Sequence, residues 1–338
     1  MSSKLDKPQH AIGIDVGTSH IVVASIEDSE YRFRSELNAF VSIRYSRMTE
    51  VALRREQIPY SRVNGELLVH GNAAERFATM LGLETRRPMR AGVLNPSEPA
   101  NIDAIGRILD TMLTGVEPGS TLVCYSVPGP PVEGEGTVAF HQAALGNLLT
   151  ERGFRCTSVD EGLAVIYGEL EDTNYSGIGI SCGGGLCNVA LAFLAVPLAS
   201  FSIPKAGDYI DASAAASLGE QPWVIRIEKE QRFSLNGQPQ DQRHYAISVY
   251  YDEVIRELIH TMCEVFGRLR ATRKIEQPVP IVLSGGTAQP RGFRERFERA
   301  LRAVRFPLAV SEVRMAREPL YSTARGALRA ALSEIEEQ

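Results

Sequence analysis

The sequence has few groups that could form a disulfide framework or a zinc site. Its five cysteines, Cys124, Cys156, Cys182, Cys187 and Cys263, are odd in number, and no two of them have the C-x-x-C spacing. Such cysteine usage excludes a small fold stapled by disulfides and favours a reducing compartment.

The chain also lacks long apolar runs and a strong charge of either sign. No stretch approaches the ~20 apolar residues that a membrane span requires, and the first ten residues are too polar for a signal peptide. A net charge of -5 argues against a dedicated nucleic-acid binder. With 338 residues, 44% hydrophobic and 23% charged, the chain has the size and composition of a soluble protein with two domains. We therefore expect a cytoplasmic protein with no evident membrane anchor and no direct nucleic-acid partner.

A glycine-rich pattern occurs twice, roughly half a chain apart. The first copy covers residues 11–19 and the second covers residues 177–185, and an apolar run follows each. Each copy predicts a short strand, a tight turn and a second strand. Glycine in the turn permits positive φ and leaves backbone N–H groups open to an anion. Two such phosphate-binding hairpins predict two duplicated domains holding a nucleotide between them. The copies differ where Asp15 of the first corresponds to Ser181 of the second.

Strand and helix patterns alternate in both halves of the chain. Residues 121–127 form a continuous apolar run typical of a buried strand, and residues 281–283 form another. Residues 245–269 have the apolar spacing of a long amphipathic helix. Strand–turn–strand units followed by helices predict an α/β fold.

Several further motifs accompany the two hairpins in a fixed order. In that order they resemble the actin-like ATPase superfamily, and within it the bacterial actins of the MreB, ParM and MamK type. The segments that carry the resemblance are 13–19, 87–93, 124–129, 160–164, 182–185, 206–211, 281–287 and 322–327.

The resemblance implies an actin-like fold, that is, a duplicated, ribonuclease H-like two-domain ATPase with small inserted subdomains. Domain I is expected over residues 1–170, with a small inserted subdomain at about 31–86. Domain II is expected over residues 171–320, with a reduced small subdomain at about 212–245. Residues 321–338 would form a C-terminal helix that returns to domain I.

The resemblance also implies which residues bind ATP or ADP together with Mg²⁺. Asp15 would bind Mg²⁺, through water, because Mg²⁺ gives up its hydration reluctantly. The remaining residues expected to contact the nucleotide are Gly17, Thr18 and Ser19 of the first turn, Gly183, Gly184 and Gly185 of the second, Gly207 and Asp208 after it, Lys229 at the base or ribose, and Gly285, Gly286 and Thr287 at the adenosine.

Catalysis is expected to depend on three positions. Glu135 corresponds to the glutamate that positions the attacking water in the family, with Glu133 as the alternative if the turn register shifts by two. Asp15 would contribute through the metal. Ser181 stands where families with active hydrolysis usually carry aspartate, and positioned acid–base groups typically contribute ~10²–10⁴-fold in rate. We therefore expect nucleotide binding with slow ATP hydrolysis, and we expect Ser181→Asp to raise the rate.

The function implied by the resemblance is that of a bacterial actin homologue that polymerises into cytoskeletal filaments. Its main partner would be other copies of the same chain, and an adaptor protein is a further candidate. The alternatives are a non-polymerising ATP-dependent switch and a degenerate nucleotide-binding scaffold, the latter because of Ser181.

Overall fold

The computed structural model describes residues 8–94, 100–132, 137–272, 275 and 277–337. The chain divides into two compact units. Unit 1 comprises residues 1–127, 136–158 and 327–338, and unit 2 comprises residues 128–135 and 159–326. The domain limits expected from the sequence stay predictions.

The elements alternate between strands and helices, as the α/β prediction requires. In chain order the strands are β1 His10–Val16, β2 His20–Glu27, β3 Glu30–Leu37, β4 Phe40–Arg44, β5 Tyr60–Val63, β6 Glu66–His70, β7 Met89–Arg90, β8 Val93–Leu94, β9 Thr121–Val127, β10 Arg155–Asp160, β11 Gly177–Cys182, β12 Cys187–Phe193, β13 Val196–Ile203, β14 Val279–Ser284 and β15 Val310–Met315. The helices are α1 Arg47–Arg55, α2 Asn72–Leu81, α3 Ala100–Met112, α4 Thr137–Thr150, α5 Glu161–Glu169, α6 Gly207–Leu218, α7 Pro222–Gln231, α8 Gln242–Thr272, α9 Phe293–Arg302 and α10 Ser322–Glu337.

The main sheet of unit 1 has the strand order β10-β9-β1-β2-β3. Strand β1 runs antiparallel to β2 and parallel to β9. All seven residues of β9 are buried, as expected for a parallel strand covered on both faces. The core joins Ile14 and Val123 of this sheet to Leu109 of α3 and Leu148 of α4.

Unit 1 also contains a separate three-stranded sheet with the order β4-β6-β5. Its small core includes Val41, Leu53 of α1, Leu67 and Ala74 of α2. Strand β3 pairs with β2 along its whole length and so belongs to the main sheet. The separate sheet begins only at β4, because the chain leaves the main sheet after β3.

The sheet of unit 2 has the order β13-β12-β11-β14-β15 and repeats the arrangement of unit 1. In each unit three consecutive antiparallel strands form one side, and a strand parallel to the first of them lies next to it on the other. The core of unit 2 joins Ile180 and Val189 of the sheet to Ile210 of α6, Tyr251 of α8 and Phe297 of α9. The repeated order supports the duplication that the two hairpins predict.

Helix α5 packs against strands β11 and β12, with the backbone of the helix close to the backbone of the strands. A Cβ at Gly162 would lie 2.5 Å from the backbone nitrogen of Ala190, and a Cβ at Gly179 would collide with the carbonyl oxygen of Gly162. The two glycines therefore fix the position of α5 on the sheet.

Among the described residues, no helix combines the length and apolarity needed to cross a membrane.

Candidate functional site

The two glycine turns have the same local geometry. The N–H of Gly17 donates to the carbonyl oxygen of His20 at 2.9 Å, and the N–H of Gly183 donates to that of Leu186 at 2.9 Å. A Cβ at either glycine would lie 3.0 Å from that same oxygen. The expectation of positive φ at these turns was wrong, since neither glycine lies in the left-handed region. Glycine is required here because the chain folds back closely on its own carbonyl.

Each turn has two backbone N–H groups without a backbone acceptor among the described residues. In the described part of the chain, the N–H groups of Thr18 and Ser19 donate to no backbone carbonyl, and neither do those of Gly184 and Gly185. Open N–H groups at a tight turn form a concave site for an anion. The geometry of each turn therefore fits a phosphate group.

Unit 1 places a half-buried carboxylate at the end of the strand before its turn. Strands β1 and β9 are parallel with Ile14 opposite Tyr125, which brings Asp15 beside Ser126. The Ser126 hydroxyl donates to Asp15 Oδ1 at 2.6 Å. Burial raises the pKa of Asp15 to about 6, and the hydrogen bond from Ser126 partly opposes that rise. The ionised carboxylate is thus disfavoured without a cation, and a divalent ion beside it would reverse the effect.

No group of three or more His, Cys, Asp or Glu side chains in the described ranges could enclose a metal ion. Binding of Mg²⁺ would therefore depend on Asp15, water and phosphate oxygens, the ligand set that Mg²⁺ prefers at nucleotide sites. The donor chemistry of unit 1 fits that ion.

Asn38, which the sequence analysis did not identify, holds the first turn. Its side-chain Nδ2 donates to the carbonyl oxygen of Gly17 at 2.8 Å, and its backbone N–H donates to that of Ser19 at 2.9 Å. The side chain is fully buried. No local signal marks it, because its contacts depend on β3 returning to the turn.

In unit 2 the turn receives the first N–H groups of helix α6. Gly207 donates to the carbonyl oxygen of Gly183 at 3.2 Å, and Asp208 donates to that of Gly184 at 2.7 Å. These two expected binding residues therefore use their backbone donors to hold the turn. The positive end of the α6 dipole points at Gly183 and Gly184, which makes the turn more favourable for an anion.

The expected adenosine motif contacts the same turn. The Thr287 hydroxyl donates to the carbonyl oxygen of Gly183 at 2.7 Å. Gly285 has φ +88, and a Cβ there would collide with the backbone of Cys182. Gly286 begins a short 3-10 turn that continues to Ala288. The structure thus joins the second turn, the start of α6 and this motif into one cluster.

Lys229 lies in that cluster with its ammonium group already engaged. Its Nζ lies 2.7 Å from Asp211 Oδ1 and donates to the carbonyl oxygen of Gly207 at 3.0 Å. Both charged side chains are buried, and burial raises the pKa of Asp211 while Lys229 opposes the rise. Lys229 therefore supports the start of α6, and its contact with a base or ribose stays a prediction.

Ser181 belongs to a hydrogen-bond network that the sequence analysis missed. Its hydroxyl donates to Glu161 Oε2 at 3.1 Å, and Asn188 Nδ2 donates to the same oxygen at 2.8 Å. Asn188 Oδ1 accepts the N–H of Gly129 at 2.9 Å. Only the strand register, which pairs Ser181 with Asn188, could have indicated this cluster.

The expected catalytic glutamates, Glu133 and Glu135, lie outside the described residues. The chain just before them is anchored to β13. Ser202 donates its N–H to the carbonyl oxygen of Pro130 at 2.8 Å, and Val132 donates to that of Ser202 at 3.3 Å.

Comparisons with known proteins agree with this arrangement. The family model described as Volactin matches residues 10–331. The actin-like protein MamK of Paramagnetospirillum magneticum is 24% identical over 344 residues, which cover 95% of this chain and 91% of MamK. A solved structure of the MamK double helical filament is 22% identical, covers 95% of this chain and 98% of its own, and has a TM-score of 0.69. The structure of MreB5 of Spiroplasma citri bound to ADP is 15% identical, covers 97% of both chains and has a TM-score of 0.64.

The predicted actin-like fold is confirmed by these structural similarities. The predicted relationship to bacterial actins is confirmed by the match to MamK along nearly the whole chain. The protein is a homologue of MamK and belongs to the Volactin family.

Proposed function

We propose that this protein binds an adenine nucleotide with Mg²⁺ and assembles into filaments. The observation that carries the proposal is the pair of equivalent turns. Each is closed by a 2.9 Å hydrogen bond, and each has N–H groups that donate to no backbone carbonyl in the part of the chain that the structure describes. The solved relatives support it, since MreB5 was determined with ADP and MamK as a double helical filament.

In this proposal each turn binds phosphate groups of a nucleotide. The N–H groups of Thr18 and Ser19 serve from unit 1, and those of Gly184 and Gly185 serve from unit 2. Bound Mg²⁺ neutralises phosphate charge, and Asp15 holds it through water. The segment 285–287 faces the adenosine.

Hydrolysis of ATP is the slow step in this proposal. Glu135 positions the attacking water, and no aspartate accompanies it at position 181. Nucleotide binding favours the conformation of the protomer that fits its neighbour, and hydrolysis weakens that contact. Contacts that do not close on themselves produce filaments.

Calorimetry and pelleting together test the proposal. We expect calorimetry to detect binding of ATP and ADP in the presence of magnesium, and we expect the protein to pellet as filaments, seen by negative-stain microscopy, with ATP. Asp15→Asn should weaken this binding. Asp110→Asn is its matched control, because it removes a carboxylate from the surface of unit 1. Absence of any nucleotide binding would overturn the proposal. Binding by a protein that stays monomeric at high concentration would instead favour the ATP-dependent switch.

A further inference from the structure

Two of the five cysteines face each other at the base of the second glycine turn. Cys182 is the last residue of β11, Cys187 is the first residue of β12, and the two are cross-strand partners. Both are free thiols, and both side chains are fully buried in the core of unit 2. Their meeting depends on the strand register, since the two residues do not form a C-x-x-C motif.

The hydrogen bonding of the turn brings these two side chains close together. The N–H of Gly183 donates to the carbonyl oxygen of Leu186, so the next cross-strand pair, Cys182 with Cys187, is a non-hydrogen-bonded pair. In such pairs the Cα atoms lie about 4.5 Å apart, closer than in hydrogen-bonded pairs. A disulfide requires Cα atoms about 4.4–6.8 Å apart. The two cysteines can therefore be joined without a rearrangement of the strands.

The first turn has the equivalent pair with different side chains. The N–H of Gly17 donates to the carbonyl oxygen of His20, and the next cross-strand pair is Val16 with Ile21. Both are buried apolar residues that cannot be cross-linked. Aliphatic side chains therefore fill this position in unit 1, and the packing of the duplicated turn does not by itself require two thiols in unit 2.

A covalent bond between the cysteines would act directly on the second turn. The backbone of Cys182 has no free space beside Gly285, because a Cβ at Gly285 would lie 2.6 Å from the Cys182 carbonyl carbon. The carbonyl oxygen of the next residue, Gly183, accepts the N–H of Gly207 and the hydroxyl of Thr287. A displacement of Cys182 therefore reaches the whole cluster that holds the turn.

We propose that Cys182 and Cys187 form a redox switch, in which a peroxide oxidises the two thiols to a disulfide and the disulfide weakens nucleotide binding at the second turn. The effect on binding rests on the nucleotide binding proposed above. Disulfides that form in a reducing compartment are usually transient or redox-sensing, and thiol reductants reverse them.

The reaction consumes one peroxide and produces two waters. The pKa of Cys187 is raised well above its usual value, first by a hydrogen bond with Cys182 and then by burial, so Cys187 stays protonated. The Cys182 sulfur therefore attacks a peroxide oxygen, the O–O bond breaks, and the hydroxide that leaves takes up the proton of the Cys182 thiol. The Cys187 sulfur then attacks the sulfenic acid at Cys182. The S–S bond forms, the S–O bond breaks, and the hydroxide leaves with the Cys187 proton as the second water.

The turn controls access to the thiols. Both cysteines are 0% exposed, and thiols buried in this way are inert while the turn stays closed. Peroxide therefore reaches Cys182 only when the turn opens locally. A nucleotide bound to the N–H groups of Gly184 and Gly185 holds the turn closed, so it should slow the oxidation.

Mass spectrometry and calorimetry together test this inference. The protein is treated with hydrogen peroxide, the remaining thiols are alkylated, and the bond between Cys182 and Cys187 is identified in the digested protein. We expect the bond to form, dithiothreitol to reverse it, and saturating Mg²⁺–ADP to slow its formation about 10-fold or more. We expect the dissociation constant of Mg²⁺–ADP to rise about 5-fold or more in the oxidised protein.

Cys187→Ala removes the switch, and Cys263→Ala is the matched control, because Cys263 is a half-buried thiol of the same unit. Peroxide should leave the dissociation constant of Cys187→Ala unchanged, and it should raise that of Cys263→Ala as in the wild type. If Cys187→Ala fails to fold, Cys182→Ala takes its place.

Two results overturn this inference and leave the proposed function standing. One is a folded wild type that forms no bond between Cys182 and Cys187 under peroxide. The other is an oxidised protein that contains the bond and binds Mg²⁺–ADP as tightly as the reduced protein. Absence of nucleotide binding by the reduced wild type overturns both.

Discussion

The two glycine turns share a backbone and differ in where their polar side chains come from. In unit 1 the strand β1 supplies the acid, Asp15, and the parallel neighbour β9 supplies Ser126, which donates to it. In unit 2 the neighbour β14 supplies Ser284 at the equivalent place, opposite Ser181. The Ser284 hydroxyl donates instead to the carbonyl oxygen of Pro319 at 2.9 Å. Each sheet therefore has a serine next to its turn, but the group that accepts the hydrogen bond of that serine differs between the two units.

The two turns are therefore more alike in backbone geometry than in the charge of the side chains beside them. The hydrogen bond that closes each turn has the same length, and the same steric limit applies at Gly17 and Gly183. The supports behind the turns differ. Unit 1 uses the neutral amide of Asn38, and unit 2 uses the helix α6 together with the buried pair of Lys229 and Asp211.

The largest expected effect comes from breaking the charged support of the second turn. Lys229→Met leaves Asp211 buried without its partner, and removal of one member of a buried ion pair typically destabilises by about 3–5 kcal/mol. The free energy of unfolding, measured with denaturant, should fall by about this amount.

Asn38→Ala removes the neutral support of the first turn. It should lower the free energy of unfolding by about 1–3 kcal/mol.

The half-exposed pair of Lys205 and Glu253 is a control for charge loss in unit 2. Lys205→Met should change the free energy of unfolding by no more than about 1 kcal/mol. A loss in Lys229→Met no larger than this would show that the second turn does not depend on its buried charge.

Asp15→Asn should weaken the binding of Mg²⁺–ADP and yet stabilise the metal-free protein. We expect the affinity for Mg²⁺–ADP to fall on the order of 100-fold, because the variant lacks the carboxylate that we propose holds Mg²⁺ through water. Burial raises the pKa of Asp15 to about 6 from an ordinary value of 3.8. The folded state therefore disfavours the ionised form, and this destabilisation is complete above pH 6 and absent below about 4.

At pH 7.5 without metal, the Asp15→Asn protein should consequently melt a few degrees higher than the wild type. Differential scanning calorimetry measures the melting temperature, and titration calorimetry measures the affinity. A variant that melts lower, or that binds Mg²⁺–ADP as tightly as the wild type, would contradict the role given to Asp15.

Gly17→Ala and Gly183→Ala test whether the two turns are equivalent. In both variants a new Cβ lies 3.0 Å from a backbone oxygen that a hydrogen bond holds in place. Each should lower the free energy of unfolding by about 1–3 kcal/mol, and the two losses should be similar. Gly267→Ala is the control, since a Cβ inside α8 meets nothing within 4 Å and should stabilise by about 0.5–1 kcal/mol. A large loss at one turn and none at the other would break the comparison.

The sequence predicted those parts of the fold that depend on local patterns. The apolar run 121–127 has the exact bounds of β9, and the long helix predicted over 245–269 is the central part of α8. The spacing of apolar residues did not predict α7. Only Ile225 and Lys229 of its ten residues are buried, so no apolar stripe marks this helix.

The sequence predicted the glycines of the site and the polar residues that lie next to them in the motifs, such as Asp15 and Thr287. Gly17 and Gly183 indicate the turns because a Cβ at either position would lie only 3.0 Å from a backbone carbonyl oxygen. Glu161 and Asn188 carried no such signal. Their meeting depends on strand register and on helix packing between residues 27 positions apart in the sequence. For the same reason the effect of Ser181 could not be judged from position 181 alone.

The smallest expected effect concerns stability at acid pH. Unit 1 contains two buried histidine side chains, His70 and His141. Burial lowers the pKa of His141 and of His70 to about 4 from an ordinary value of 6.5. The unfolded chain takes up these protons between pH 6.5 and 4 while the folded chain does not, so stability falls as the pH drops through that window. At pH 5.5 each histidine should destabilise by about 1 kcal/mol. Asp15 acts in the opposite direction below pH 6, so the wild-type profile alone does not isolate the histidines.

His141→Gln isolates one of them, because the variant lacks the titrating ring. Its free energy of unfolding should fall by about 1 kcal/mol less than that of the wild type between pH 7.5 and pH 5.5. His260→Gln is the control, since its side chain is 71% exposed beside Glu264 in unit 2, and it should follow the wild-type profile. Denaturant titrations at the two pH values measure the difference. Equal pH dependence in the wild type and His141→Gln would place the acid sensitivity elsewhere in the chain.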